Sequence, residues 1–267
     1  MFYSILNTIL KLNNMFKNNH ELDFTVITVC YNSASTIQET ISSVLSQKEI
    51  NFEYIIIDGV STDGTIDILN ANNDRRLKYI SEPDKGLYDA MNKGIAKAKG
   101  KIVAILNSDD LYINDHVLSD IFDEFNRSNA DLVSGNLYYF DNDFSQAIRK
   151  YPCENMNSKA KWKKGKQPPH PSTFVRRSVY EEIGYYHSEF KISSDYEFLL
   201  RAIFINNYKH SIINKYLVAM RMGGESTSGF KSRYIGSKEV YLSWKKNNIS
   251  PPLFLIPLKI INKLLIK

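Results

Sequence analysis

Cysteine is scarce. Cys30 and Cys153 are the only two in 267 residues, far apart and without the spacing of metal ligands. That count supports neither a disulfide framework nor a thiolate zinc site, and a reducing cytosol suits it. No G-x-G-x-x-G follows the first strand-like run and no Walker A sequence occurs, so dinucleotide-binding and P-loop NTPase readings lose their main support. Internal repeats and low-complexity linkers are also missing. The apolar N-terminus "MFYSILNTILKLNNMFK" lacks the basic start and small-residue cleavage site of a signal peptide, and Lys11 cuts it short of a spanning length. Residues 1–21 therefore read as a tail or peripheral helix. The formal charge of +5 is mild and its lysines and arginines are dispersed, which gives nucleic-acid binding little to stand on.

What is present is an ordinary globular composition, 43% hydrophobic and 24% charged, enough to exclude wholesale disorder. From Phe24 to Leu106 short apolar runs alternate with helical periodicity. "FTVITV", "FEYIII", "LKYI" and "KIVAIL" read as strands. Between them Ile37, Ile41, Val44 and Leu45 share a helical face, as do Leu87, Ala90, Met91, Ile95 and Ala98. Ser35 with Gln38, or Thr36 with Glu39, offers a capping box for the first of these helices, and Gly100 a C-cap for the later one. Strands this apolar, separated by amphipathic helices, predict an α/β fold: a Rossmann-like, largely parallel sheet with helices on both faces. After Asp115 the rhythm changes. "LVSGNLYYF" and "STFVRR" read as strands, Asp141–Pro169 as irregular, and "DYEFLLRAIF" as a helix completing the same domain.

In an open α/β sheet, ligands bind beyond the carboxyl ends of the strands. The segments at those ends here are "CYNSAS", "DGVSTDGT", "SEPDKGLYDAMN" and "NSDD", which gather Tyr31, Asn32, Asp58, Ser61, Asp63, Asp84, Lys85 and Asp109 on one rim. A rim of carboxylates repels a bare phosphate unless a divalent cation sits between them, and Mg²⁺ or Mn²⁺ takes one or two carboxylates plus phosphate oxygens. The expectation is that Asp109 holds such a cation, and the cation a diphosphate. Asn107, Ser108 or Asp109 acting only as a turn or helix cap is the competing reading.

The ordered set "VITVCYNSASTIQETISSVLSQ", "FEYIIIDGVSTDGT", "SEPDKGLYDAMNKGIAKAKGKIVAILNSDD" and "HPSTFVRRSVYEEIGYYHSEFKISSDYEFLLR" resembles the family 2 glycosyltransferases, inverting enzymes of GT-A fold. The resemblance covers roughly Phe24 to Arg201. It implies that Tyr31 and Asn32 cradle the nucleotide and that Asp58 hydrogen-bonds the uracil edge or the ribose. The family commonly has two consecutive acids there, whereas this chain has Asp58-Gly59. It further implies that Asn107-Ser108-Asp109 stands for the Asp-x-Asp metal motif, with Asp109 as ligand, Asn107 and Ser108 beside the donor, and Asp110 in support. Asp84 and Lys85 match the middle loop, with Lys85 placed to neutralise phosphate. Asp195 in "SSDYEF" matches the catalytic base, although the same residue would serve as an N-cap. His170 in "PPHPSTF" falls where the family often has a His, at the metal or the diphosphate. The organisation implied is a GT-A domain over 22–225, with a nucleotide-sugar half at 22–110 and an acceptor and catalytic half at 111–225.

The segment 226–267 ends in "PPLFLIPLKIINKLLIK", where Lys259, Lys263 and Lys267 recur every four residues among apolar ones. A basic amphipathic helix of this kind suits an anionic membrane surface, and docking on the protein's own surface is the alternative. With the resemblance, it predicts a cytoplasmic enzyme, peripheral on the inner face of the cell membrane. Its reaction would move sugar from a nucleotide diphosphate donor, UDP-linked, to a lipid-linked saccharide of O-antigen or other surface polysaccharide assembly. Two rival functions remain: a sugar-nucleotide pyrophosphorylase, whose Gly-rich, Arg-containing first loop "CYNSAS" lacks, and a non-catalytic sugar- or lipid-binding protein of the same fold.

Overall fold

The computed structural model describes residues 21–141, 143–223 and 229–265. The predicted N-terminal tail lies, but for Glu21, outside them. Four strands open the fold: β1 (Phe24–Cys30), β2 (Phe52–Asp58), β3 (Leu77–Ser81) and β4 (Ile102–Ile105). They lie parallel in the order β3-β2-β1-β4. Every residue of β1, β2 and β4 is buried, which is why they read as unbroken apolar runs rather than as alternating ones. Val26, Tyr54 and Ile56 face one layer of the core, with Ile37, Ile41 and Val44 of α1 (Ile37–Leu45). Ile27, Ile55 and Ile57 face the other, with Met91 and Ile95 of α3 (Leu87–Lys97). Between those helices, α2 (Thr65–Ala71) follows β2.

The second half adds strands to the same sheet. β5 (Leu111–Tyr112), β6 (Leu132–Phe140), β7 (Arg149–Tyr151), β8 (Thr173–Arg176) and β9 (His210–Arg221) extend it to β3-β2-β1-β4-β8-β6-β9-β5, with β7 on β6. β8 joins β4 antiparallel, which ends the parallel series. The helices of this half are α4 (Val117–Ser128), the short α5 (Lys159–Lys163), α6 (Arg177–Ile183), α7 (Ser194–Leu199, continuing in wider π-helical turns to Ile205), α8 (Gly229–Lys246) and α9 (Leu255–Leu265). Thus β7 and α5 order part of the stretch that the sequence reads as irregular.

Three local expectations need correction. Thr36 does stand at the N-cap of α1, but no side-chain capping bond forms; Thr36 Oγ1 turns back to the Ser33 carbonyl. Gly100 is not the C-cap of α3, which ends at Lys97 with Ala98 following. It is glycine because the chain crosses the backbone of β1 there, and a Cβ would stand 2.2 Å from the Phe24 carbonyl carbon. Finally, Asp195 lies inside the first turn of α7, with Ser193 at the N-cap.

The C-terminal helix α9 docks on the protein. Leu255 is buried, Asn262 Nδ2 donates to the Lys164 carbonyl at 2.7 Å, and Lys259 bonds Gln167 while its ammonium lies 4.6 Å from the centre of the Tyr196 ring. Lys259 thus turns inward, whereas Leu253, Phe254, Ile260 and Ile261 are exposed. Lys267 lies outside the described residues. Among those described, no helix is long and apolar enough to cross a membrane.

Candidate active site

The predicted rim forms at the carboxyl ends of β1 to β4. Its floor is Asp58, the last residue of β2, wholly buried. One of its oxygens accepts from the Ser61 hydroxyl at 2.5 Å and the Cys30 thiol at 3.6 Å; the other accepts from Ser61 N at 3.0 Å and the Ser81 hydroxyl at 2.7 Å. Burial pushes the Asp58 pKa up, but these donors outweigh it and hold the carboxyl below its ordinary value. As placed, Asp58 ties β1, β2 and β3 together beneath the rim.

Asn32 clasps the first two loops: its backbone N donates to Ser61 Oγ at 2.8 Å and its side-chain oxygen accepts from Thr62 N at 2.9 Å. It does so with φ 50°, a left-handed conformation that asparagine tolerates better than most residues. Val60 shares that region at φ 65°, where a β-branched residue is strained. Asp63 fastens the same loops through Ala34 N at 3.0 Å and the Thr65 hydroxyl at 2.6 Å. Tyr31 is left 64% exposed, an aromatic face open to a planar ligand.

Gly59 explains why the second acid is missing. A Cβ at Gly59 would lie 2.7 Å from Asp84 Oδ2 and 3.4 Å from the Tyr31 ring. Asp84, from the β3–α3 loop, therefore brings a carboxylate over the place where a side chain at 59 would project. Its other oxygen accepts from Gly86 N at 2.8 Å. Beside it Lys85 is exposed, and no carboxylate pairs with its ammonium among the described residues.

At the end of β4 the two adjacent acids separate. Asp110 is fully buried; it accepts from Asn107 Nδ2 at 2.9 Å and Arg221 N at 3.2 Å, while its carbonyl takes the Thr40 hydroxyl at 3.0 Å. An amide at 107 thus donates where an acid would repel. Burial, then the charge of Asp109, pushes the Asp110 pKa well up. Asp109 is half-buried and also raised, by burial more than Arg221 can offset, and no other side chain donates to it among the described residues. Ser108 hydrogen-bonds Ser33 at 2.9 Å, joining this loop to the first. The Arg221 guanidinium pairs with Glu39 rather than with these two desolvated carboxyls, which are therefore short of positive charge, and hard oxygen donors suit a small divalent cation. Among the described residues no three His, Cys, Asp or Glu side chains come together to hold a metal. Asp109 by itself would fit such a cation only where oxygens of a bound ligand complete the coordination.

Across the rim, Tyr88 in the first turn of α3 donates its hydroxyl toward the Ile192 carbonyl at 2.8 Å and Asp195 Oδ1 at 3.0 Å. Burial, then the charge of Asp195, holds the Tyr88 pKa well above normal, so the hydroxyl keeps its proton. His170 stands here: its Nε2 lies 2.9 Å from the Tyr186 hydroxyl, and burial holds it below its ordinary pKa against the field of Asp195. Neither Tyr88 nor the ring cluster of Tyr180 and Tyr186 stands out in the sequence, because a buried tyrosine reads as core. The "LYDAMN" segment was the available signal, in which Tyr88 falls one turn from Met91.

The sequence pattern of Glycosyl transferase family 2 matches residues 25–184, well over half of the chain. The chain belongs to this family. Asp195 lies beyond the match. The chain is 34% identical over 182 residues to an uncharacterized glycosyltransferase of Mycobacterium tuberculosis, Rv1514c, covering 67% of this chain and 68% of that one. It is 27% identical over 201 residues to the PGL/p-HBAD biosynthesis glycosyltransferase Rv2957 of the same species, covering 72% and 76%. Among solved structures, S. aureus TarS residues 1–349 in complex with UDP-GlcNAc superposes with a TM-score of 0.66 at 20% identity, covering 83% of this chain and 66%, just under two thirds, of that one. The mannosyltransferase PcManGT of Pyrobaculum calidifontis, in complex with GDP-Man and Mn²⁺, gives 0.64 at 17% identity, covering 92% and 71%. The fold is therefore GT-A and the chain a glycosyltransferase. Neither the pyrophosphorylase reading nor the non-catalytic one gains from these matches.

Proposed function

We propose that this chain transfers a hexose, with inversion, from a UDP-sugar to a hydroxyl of a lipid-linked saccharide in O-antigen or other surface-polysaccharide assembly. The observation that carries the reading is the turn from Asp84 to Tyr88. At one end it lays a carboxylate over Gly59 and Tyr31; four residues later it holds Asp195 by a 3.0 Å hydrogen bond. A donor-binding rim and a candidate base thus share one short segment.

In this reading the Tyr31 ring stacks on the base, and Asp84 accepts from its N–H edge in place of the missing second acid. Asn107 and Ser108 approach the ribose, and Lys85 neutralises phosphate. Asp58, Asn32 and Asp63 shape the loops. Asp109 would hold Mn²⁺ or Mg²⁺ with the donor's diphosphate, and a cation there supplies Lewis-acid stabilisation of the departing nucleotide. Asp195 takes the acceptor's proton as its oxygen attacks the anomeric carbon. Tyr88 fixes one carboxylate oxygen and leaves the other for the acceptor. His170, a neutral imidazole, supports the base through Tyr186 rather than the metal. A single base opposite the leaving group gives one displacement and hence inversion.

The donor is tested by thermal unfolding with UDP, GDP and their sugars, with and without Mn²⁺. UDP with Mn²⁺ is expected to raise the transition by several degrees and GDP much less. If no nucleoside diphosphate moves the transition, the reading fails.

For the acceptor, the reading leans on the C-terminal surface and on the similarity to the PGL/p-HBAD biosynthesis glycosyltransferase. The fold brings two basic segments together, since α9 docks beside Lys163 and Lys164, both exposed, while Leu253, Phe254, Ile260 and Ile261 face outward. Exposed apolar side chains on a segment that docks beside two exposed lysines suit the cytoplasmic, anionic face of the cell membrane. Sedimentation with phosphatidylglycerol vesicles is expected, and Leu253→Asp with Phe254→Asp should weaken it at least ~10-fold. Equal binding by the double variant would remove this surface from the proposal.

A further inference from the structure

The helix that carries Asp195 has no capping side chain of its own. Ser193 holds the N-cap position and makes no capping bond to the first turn of α7. The segment leading into it is instead anchored from far along the chain. Glu239, on α8 and buried, accepts Lys191 N at Oε1 and both Ile192 N and Ser193 N at Oε2, each at 2.8 Å. One turn earlier on α8 the Gly236 carbonyl accepts the Ser193 hydroxyl at 3.1 Å. Farther along, Trp244 Nε1 donates to the Tyr196 hydroxyl at 2.8 Å and Asn247 Nδ2 to Glu197 Oε1 at 2.9 Å. Asp195 sits between these grips.

The peptide unit that Glu239 holds by Ser193 N carries the Ile192 carbonyl that receives Tyr88, and Tyr88 reaches Asp195. A carboxylate bound to consecutive amides at a helix N-terminus is a charge-assisted anchor, favoured by the helix dipole. It fixes the orientation of those peptide planes and, through them, of the base. Misplacement of a reacting group by about 1 Å costs on the order of 10²-fold in rate. We infer that Glu239 is a positioning residue for the transfer step: α8, beyond the stretch that matches the family, sets the geometry of Asp195. The inference rests on the reading of Asp195 as the base.

Glu239→Gln tests it. The substitution keeps size but turns one oxygen into an NH₂ facing amide N–H groups. UDP affinity is expected to stay within ~2-fold of the parent while kcat falls ~10–100-fold, with KM little changed. In an Asp195→Asn background the same change should cost nothing further, because the group it positions is gone. A loss confined to folding would leave kcat per folded molecule intact. Glu239→Asp, which keeps the charge, should recover at least ~3-fold over the glutamine variant. If Glu239→Gln does not fold, Glu239→Asp carries the comparison, its kcat expected below that of the parent. The idea is overturned by parental kcat in whichever variant folds, or by losses that multiply in the double variant. A fully active Asp195→Asn removes the base assignment as well, whereas an inactive one beside an intact Glu239→Gln removes this inference alone.

Discussion

Asp195→Asn is expected to lower kcat by ~10²–10⁴-fold while leaving UDP binding within a factor of about two. Asparagine preserves shape and can still accept the Tyr88 hydrogen bond at one oxygen, so the loop should keep its course. What disappears is the ability to take a proton from an alcohol. The size of the effect decides between roles. A 10³-fold loss is about 4 kcal/mol of transition-state stabilisation, whereas a single hydrogen bond typically contributes about 1 kcal/mol net. A carboxylate that only helped to hold the loop would produce the smaller figure, and would produce it in stability as well. Steady-state transfer kinetics, with UDP affinity measured separately, distinguish the two; parental kcat in the variant would remove Asp195 as base.

The parallel half of the sheet was legible because burial on both faces writes itself as contiguous apolar residues. "FEYIII" is β2 nearly to the residue, and its polar terminus Asp58 marks where the rim begins. The rim's composition was legible for the same reason: four strand ends point one way, and whatever follows them converges. What could not be read was the division of labour within it. Asp58 looks like a ligand-facing acid, yet it is saturated by serine and thiol donors from three segments. Asp109 and Asp110 are neighbours in sequence, but Asn107 and Arg221 claim one and leave the other at the rim. The substitution of Gly59 for an acid looks like a loss until Asp84 is seen lying over it. The same holds for the candidate base. The resemblance points to Asp195, but local pattern alone leaves a helix cap open, while its partner Tyr88 lies 107 residues away and its loop's anchor Glu239 comes from another helix. Local patterns carry strands and faces; contacts between distant side chains leave no period.

Asp109→Asn is expected to act in opposite directions on the free and the liganded protein. In the free protein Asp109 and Asp110 both have raised pKa values, chiefly through burial. A carboxyl whose folded pKa stands above its unfolded value costs stability once the pH passes the unfolded value, about 3.9, and the full cost is present above the folded one. Removing one charge of the pair relieves it. At neutral pH the ligand-free variant should therefore unfold at a higher temperature than the parent, by roughly 2–4 °C for each kcal/mol relieved. Towards pH 3, where both carboxyls are protonated in either state, the difference should vanish. With UDP and Mn²⁺ the order reverses. The parent gains ligand stabilisation that the variant, lacking the rim carboxylate, does not, and transfer should fall by at least ~10²-fold. Asp110→Asn is the contrasting case, because its carboxylate accepts the Arg221 amide and the Asn107 side chain inside the fold. It should lose stability with or without ligand. Thermal scans of the three proteins, with and without UDP and Mn²⁺ across pH 3 to 8, separate these outcomes. A variant at Asp109 that keeps the parent's full Mn²⁺-dependent shift would show that the cation is held elsewhere.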